Sequence, residues 1–379
     1  MATEKKRKVA VRGLESVVAA DTRLCYVDGQ NGKLYYCGYD IDELAGRVCY
    51  EEIVHMLWGG GLPDLDTLDD WRPQLVAEMR LPTQVIDILR ITPPGANPMV
   101  VLRTAVSALG LWDPDGGKNT LRANERKARR ILAQVATIVA TIYRLRRGEP
   151  LVTPDKELGF AANFLYMFHG KVPSKLDHSI FDTLLVLHAD HGLAASTFAA
   201  RATVSTLAGM HSAIVAALAS LKGPLHGGAN TKVMEMLDAI GGPSKAKAYI
   251  DGMLSDGKRI MGFGHRVYKT EDPRSRHLRR FSEKLSKRAA TRNLFDISHQ
   301  IEKLVLERKG IHPNVDFYSA TVQEALGIPK EYFTCIFALA RTAGWIAHVL
   351  EQFQDNRLIR PTSNYIGGFG KRFVPIEKR

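Results

Sequence analysis

Residues Ala195–Leu221 read ASTFAARATVSTLAGMHSAIVAALASL and run straight into Lys222-Gly223-Pro224-Leu225-His226-Gly227-Gly228. Apolar residues recur through the first stretch at helical spacing, so it reads as helix. The glycine and proline cluster that follows ends that pattern. Beyond it the chain is more basic and less apolar as far as Ala320, and apolar helix then resumes over Tyr332–Phe353. This order is that of a helical domain with an insertion. The expected layout is a large helical domain over 1–222 and 321–379, with a small helical domain at 223–320 hinged on the Gly-Pro-x-His-Gly-Gly turn.

Outward from this stretch, helical patterns cover Tyr50–Trp58, Asn124–Arg147, Leu184–His188, Thr231–Ile240, Lys245–Leu254, Arg276–Lys287 and Phe295–Arg308. Breaks fall at Pro93-Pro94-Gly95, Gly116-Gly117, Gly241-Gly242-Pro243, and where Gly310 precedes His312-Pro313. The one β signal lies near the N-terminus, where Leu24–Val27 and Lys33–Cys37 flank the turn Asp28-Gly29-Gln30-Asn31-Gly32. The fold class is therefore all-α, two-domain, with a small N-terminal β-hairpin.

Composition narrows the function. With 379 residues, 45% hydrophobic and 24% charged, the chain is globular rather than disordered, collagenous or a disulfide miniprotein. Its four cysteines form no CxxC pair, and no apolar leader is evident, so a reducing cytoplasm is expected. The apolar runs Ile131–Tyr143 and Ala213–Leu221 fall short of the ~20 residues a membrane span needs. A net charge of +12 favours polyanionic partners: nucleic acid, an anionic membrane or a phosphorylated small molecule. Much of the excess sits in Arg274, Arg276, Arg279, Arg280, Lys284, Lys287, Arg288 and Arg292, while Lys5–Lys8 reads as a solvated basic tail.

Four short constellations carry chemistry. Leu187-His188-Ala189-Asp190-His191 sets two histidines three apart, as metal ligands are, but no acidic cluster completes a shell and no metal is expected. Gly223-Pro224-Leu225-His226-Gly227-Gly228-Ala229-Asn230 surrounds a histidine with small or rigid neighbours whose backbone amides an anion can approach; a capping turn has the same spacing. Gly262-Phe263-Gly264-His265-Arg266-Val267-Tyr268-Lys269 sets a histidine beside two glycines, with Asp272-Pro273-Arg274 following; a solvated basic loop is the plain alternative. Pro313-Asn314-Val315-Asp316-Phe317-Tyr318-Ser319 embeds an acid among apolar and aromatic residues, which can raise its pKa toward that of a general base; an N-capping Asp is the other reading. Two loop histidines, an acid in apolar surroundings and several arginines suit carbon-acid deprotonation on a substrate with several carboxylates.

These motifs, in this order, resemble the citrate synthase family in its short bacterial and archaeal form. The similarity runs from Arg12-Gly13-Leu14-Glu15-Ser16-Val17-Val18 to Arg360-Pro361. The resemblance implies that Asp316 takes a proton from the methyl of acetyl-CoA, His226 hydrogen-bonds the enol oxygen, and His265 activates the oxaloacetate carbonyl. It implies His191, Arg274 and Arg341 as oxaloacetate-holding residues, with Arg360 contributed by the partner subunit of a homodimer. Ile260, Met261, Gly262, Phe263 and Gly264 would meet CoA through their backbone, with Lys269 and Lys309 as phosphate contacts. No cofactor is implied, acetyl-CoA being a substrate.

Two alternatives stand beside this reading. The related 2-methylcitrate synthases share every catalytic motif and take propionyl-CoA, and one methylene in an apolar pocket is worth only ~1–3 kcal/mol. A basic helical nucleic-acid-binding protein would use Lys5–Lys8 and the Arg274–Arg292 stretch. It leaves His226, His265 and Asp316 without a role, and no stacking pattern or helix-turn-helix accompanies it. Neither nucleic acid nor a membrane is the expected partner.

Overall fold

The computed structural model describes residues 10–288 and 292–379, so Lys5–Lys8 lie outside the described residues. An antiparallel sheet in the order β1 (Cys25–Asp28), β2 (Lys33–Tyr36), β3 (Tyr39–Asp40) forms the only β-sheet among them. The rest is mostly helical. Ahead of the Gly-Pro turn come α1 (Ile41–Leu44), α2 (Tyr50–Gly59), α3 (Leu65–Ala77), α4 (Thr83–Arg90), α5 (Pro98–Trp112), α6 (Leu121–Arg146), α7 (Phe160–His169), α8 (Lys175–His188), α9 (Ala195–Val204) and α10 (Met210–Leu221). After it come α11 (Ala229–Ile240), α12 (Pro243–Ser255), α13 (Pro273–Leu285), α14 (Arg292–Lys309), α15 (Val315–Ala325) and α16 (Phe333–Gln354).

The hairpin forms where expected, with Tyr26 opposite Tyr35, and gains a short third strand. The pattern over Ala195–Leu221, read as one helix, is two. Leu207 (φ 66°) and Gly209 (φ 88°) take left-handed backbone between them, which breaks the helix and lets α10 pack back on α9. Apolar spacing passed over this break because Leu207 keeps the hydrophobic rhythm while adopting a conformation helix cannot hold.

Helix α16 is the centre of the core. Trp345, Ile336, Leu339, Ile346 and Val349 are fully buried, and the helix packs against α2, α6, α8, α9 and α10. The segment Lys330–Gln354 is long and apolar enough to cross a membrane, which corrects the expectation that no stretch is. Its 18-residue apolar window is instead wholly buried inside the protein. Helices α11–α15 pack chiefly on one another, through α13 on α15, α12 on α14 and α11 on α15. The boundary expected after Ala320 falls inside α15, a helix continuous across it.

Candidate active site

The C-terminal end of α8 leads into His191, and three elements hold that turn. Tyr36 of β2 donates its buried hydroxyl to Asp190 O (2.8 Å) and accepts from Asp190 N (3.2 Å). Gly344 of α16 donates its N–H to Ala189 O (3.1 Å), an approach so close that a Cβ there would lie 2.4 Å from that oxygen. His348 of α16 meets Asp190 Oδ2 at 3.3 Å. The first histidine of the pair, His188, is buried with Nδ1 on Leu184 O (2.8 Å), a bond within its own helix. No group of three or more His, Cys, Asp or Glu is arranged to hold a metal among the described residues.

The loop 260–264 is fastened to the entry of α15. Asn314 N donates to Gly262 O (2.8 Å), Gly264 N to His312 O (3.0 Å), and Asn314 Nδ2 to Gly264 O (2.9 Å). Gly262 has φ 81°, and a Cβ on it would lie 2.8 Å from both Phe317 and Val233, so both conformation and space require glycine. Next in the chain, His265 accepts at Nδ1 from the backbone N–H groups of Val267 (3.0 Å) and Tyr268 (3.1 Å). Two N–H donors on one ring nitrogen leave it unprotonated, so the proton of the neutral ring sits on Nε2. Burial, aided by Arg274, pulls the His265 pKa down to about 4 and keeps it neutral.

His226 is held in the opposite sense. Its Nε2 accepts from Ser196 N (3.3 Å) and bonds Ser196 Oγ (2.8 Å), which in turn accepts from Trp345 Nε1 (3.1 Å). The proton therefore lies on Nδ1, which is left as a donor. Burial, with Arg341 adding, lowers its pKa to about 4. Gly227 permits the turn, since a Cβ would lie 2.5 Å from Leu221 O.

Asp316 sits in the first turn of α15 behind Asn314, which caps the helix and accepts from Asp316 N (3.0 Å). Its Oδ1 is shut off from water with no hydrogen-bond partner among the described residues. Burial raises its pKa to about 7; Asp272 pushes the same way, and Arg274 and Arg341 oppose it. Asp272 itself is fully buried. It grips Arg274 through Nε (2.9 Å) and Nη2 (2.7 Å) and also accepts from Val315 N (3.1 Å), joining the starts of α13 and α15. Arg341 of α16 is buried over the Phe337 ring (4.7 Å), donates Nε to His188 O (2.7 Å), and leaves Nη2 without a partner. An unpartnered buried guanidinium nitrogen beside a second buried arginine is a place for an anion. His191 completes the cluster, 5.2 Å from His265 between ring centres; burial, with Arg274 and His265 adding, holds its pKa well below the usual value.

The structure thus gathers His191, His226, His265, Arg274, Arg341 and Asp316. Of the other candidates, the loop 260–264 adjoins this cluster through His265 and Asn314, whereas no contact links Arg360 to it among the described residues. Arg360 is exposed on the segment after α16, beyond Ile359, whose N–H bonds Ser205 Oγ (3.0 Å). Lys269 and Lys309 are exposed, while Ile260 and Gly262 are buried and Met261, Phe263 and Gly264 half-buried. A cavity of about 540 Å³ between Ala19–Arg23 and Glu351–Ile359 contains none of the clustered residues. The basic stretch on and just after α13 is partly neutralised: Arg274 by Asp272, Arg276 by Asp42, Arg279 by Glu302, and Arg288 by Asp177.

Sequence reasoning assigned nothing to Ser196, Trp345, Phe337, Tyr268 or Asp272, which orient the histidines and arginines. Tyr268 and Asp272 stand within the motif quoted above, but Tyr268 meets His191 in the turn after α8 and Asp272 meets Val315 at the start of α15. Ser196 lies 30 residues from the histidine it fixes, and no local signal marks it.

Comparison with known proteins places this geometry. The profile of the family "Citrate synthase, C-terminal domain" matches residues 13–362. The citrate synthase of Deinococcus radiodurans is 47% identical over 97% of this chain and 98% of its own length. A citrate/2-methylcitrate synthase of Bacillus subtilis is 38% identical over 94% of this chain and 96% of its own. The solved citrate synthase of Thermoplasma acidophilum, in ternary complex with carboxymethyl coenzyme A and oxaloacetate, superimposes with a TM-score of 0.93 at 33% identity, covering 98% of this chain and 100% of that one. With family profile, full-length identity and fold in agreement, the chain belongs to the citrate synthase family, enzymes that transfer an acyl group and convert it to an alkyl group.

Proposed function

We propose that the protein condenses acetyl-CoA with oxaloacetate and water to give citrate and CoA. The observation that carries this reading is Asp316 Oδ1, out of water and unpartnered, in one cluster with two neutral histidines of opposite tautomer. Asp316 removes a proton from the thioester methyl. His226 Nδ1–H hydrogen-bonds the enolate oxygen that forms, and the enolate carbon attacks the oxaloacetate carbonyl. His265 Nε2–H gives its proton to that carbonyl oxygen, and water then hydrolyses the new thioester, releasing CoA. A single well-placed donor in such a site is worth about 10²–10³ in rate. The reaction balances with two substrates and water, so no cofactor is invoked.

Arg274, Arg341 and His191 hold the oxaloacetate carboxylates, and Arg360 of a second subunit joins them in a homodimer. The helical unit that begins at 223 and includes α15 closes on the rest of the chain to exclude water and complete the CoA site, with the backbone of 260–264 against CoA and Lys269 and Lys309 near its phosphates. Four free thiols suit a reducing cytoplasm. Propionyl-CoA is the competing acyl donor, on the evidence of the Bacillus subtilis relative's name. Thiol release with oxaloacetate and each acyl-CoA in parallel tests the reading. Higher kcat/KM with acetyl-CoA is expected, and a preference for propionyl-CoA would make the protein a 2-methylcitrate synthase.

A further inference from the structure

Tyr268 ties two of the clustered histidines together. Its side chain is 3% exposed, and its hydroxyl lies 3.2 Å from His191 Nε2. Its ring centre is 4.7 Å from that of His265 and 5.6 Å from that of His191, and its own backbone N–H donates to His265 Nδ1. Arg274, His265, Arg341 and His226 each disfavour a second proton on His191. A neutral imidazole presents one donor and one acceptor nitrogen, and ring rotation exchanges the two. The tyrosine hydroxyl is the one side-chain hydrogen-bond partner of the His191 ring among the described residues. Without it, nothing selects which nitrogen faces the anion site.

We infer that Tyr268 is a positioning residue for the dicarboxylate substrate, fixing the ring setting of His191 through its hydroxyl while its backbone fixes His265. This rests on the reading of the cluster as an oxaloacetate site. Burial raises the Tyr268 pKa, so the hydroxyl keeps its proton across the working pH range. The residue acts on binding rather than on the acyl carbon, and the kinetic signature follows from that division.

Tyr268→Phe keeps the ring, its contacts with both histidines and the backbone N–H, and removes one oxygen. It is expected to raise the oxaloacetate KM about fivefold or more, with kcat and the acyl-CoA KM within about twofold. On a His191→Asn background the same change should add nothing, since its effect runs through His191. An unchanged oxaloacetate KM in Tyr268→Phe, or additive losses in the double variant, overturns the inference. A wild-type protein that releases no thiol with oxaloacetate and either acyl-CoA overturns the proposed function instead, so the two failures are distinguishable.

Discussion

Asp316 departs from the ordinary behaviour of an aspartate at the centre of the cluster. Burial lifts its carboxyl to about 7, whereas His226 and His265 fall to about 4 for the same reason acting on the opposite charge. The folded chain therefore holds a proton on Asp316 that the unfolded chain releases near 3.8. The resulting cost to stability is absent at lower pH and grows as pH rises toward 7. Catalysis has the matching dependence, because only the ionised carboxylate removes a proton. Thiol release at saturating substrates should climb with pH along a limb near 7, with both histidines neutral throughout. A limb near 4, where an ordinary carboxylate and both histidines titrate, would contradict the raised pKa of Asp316.

At the scale of elements, the site is built from places where helices approach too closely for a side chain. Gly344 stands in the interior of α16, where alanine normally gains about 1 kcal/mol over glycine. Here a Cβ would meet Ala189 O at 2.4 Å and Asp190 Oδ1 at 2.5 Å. The sign should reverse: Gly344→Ala should destabilise the protein by about 1–3 kcal/mol, as overpacking does. Because the displaced segment carries His191, oxaloacetate KM should rise as well. Denaturant unfolding and steady-state kinetics check both, and a stabilised variant would show that α16 and this turn are not in the contact described. Such contacts explain what could be read from the chain and what could not. Periodicity located α2 and α6, and Gly and Pro clusters located their breaks, because those signals are local. The split between α9 and α10 turns on left-handed backbone at Leu207, which residue type does not reveal. Helices α3, α4, α5 and α7 escaped notice because Pro73 interrupts one, one is short, and two are apolar on nearly every side. Motifs marked His226, His265 and Asp316, whereas Ser196 and Trp345 earn their place only once α9 and α16 are packed beside the Gly-Pro turn.

For the whole molecule, the account requires two chains. Arg360 is exposed and stands apart from the cluster in one chain, and the proposed function gives it to a neighbour's site. Arg360→Ala should lower kcat/KM for oxaloacetate about tenfold or more, ~1.4 kcal/mol per decade. Verified heterodimers of Arg360→Ala and Asp316→Asn subunits should recover activity, since one of their two sites then holds both native residues. Heterodimers no more active than their parents would place Arg360 in its own chain's site or outside any. The central claim is that the loops carrying His226, His265 and Asp316 form one condensing site, with Asp316 as its base. Thiol release by wild type and Asp316→Asn, with oxaloacetate affinity measured on the same samples, tests it most directly. The account predicts release by the wild type only when oxaloacetate and acyl-CoA are both present, a fall of about 10²–10⁴-fold in Asp316→Asn, and nearly unchanged oxaloacetate binding. Wild-type turnover in Asp316→Asn would contradict it.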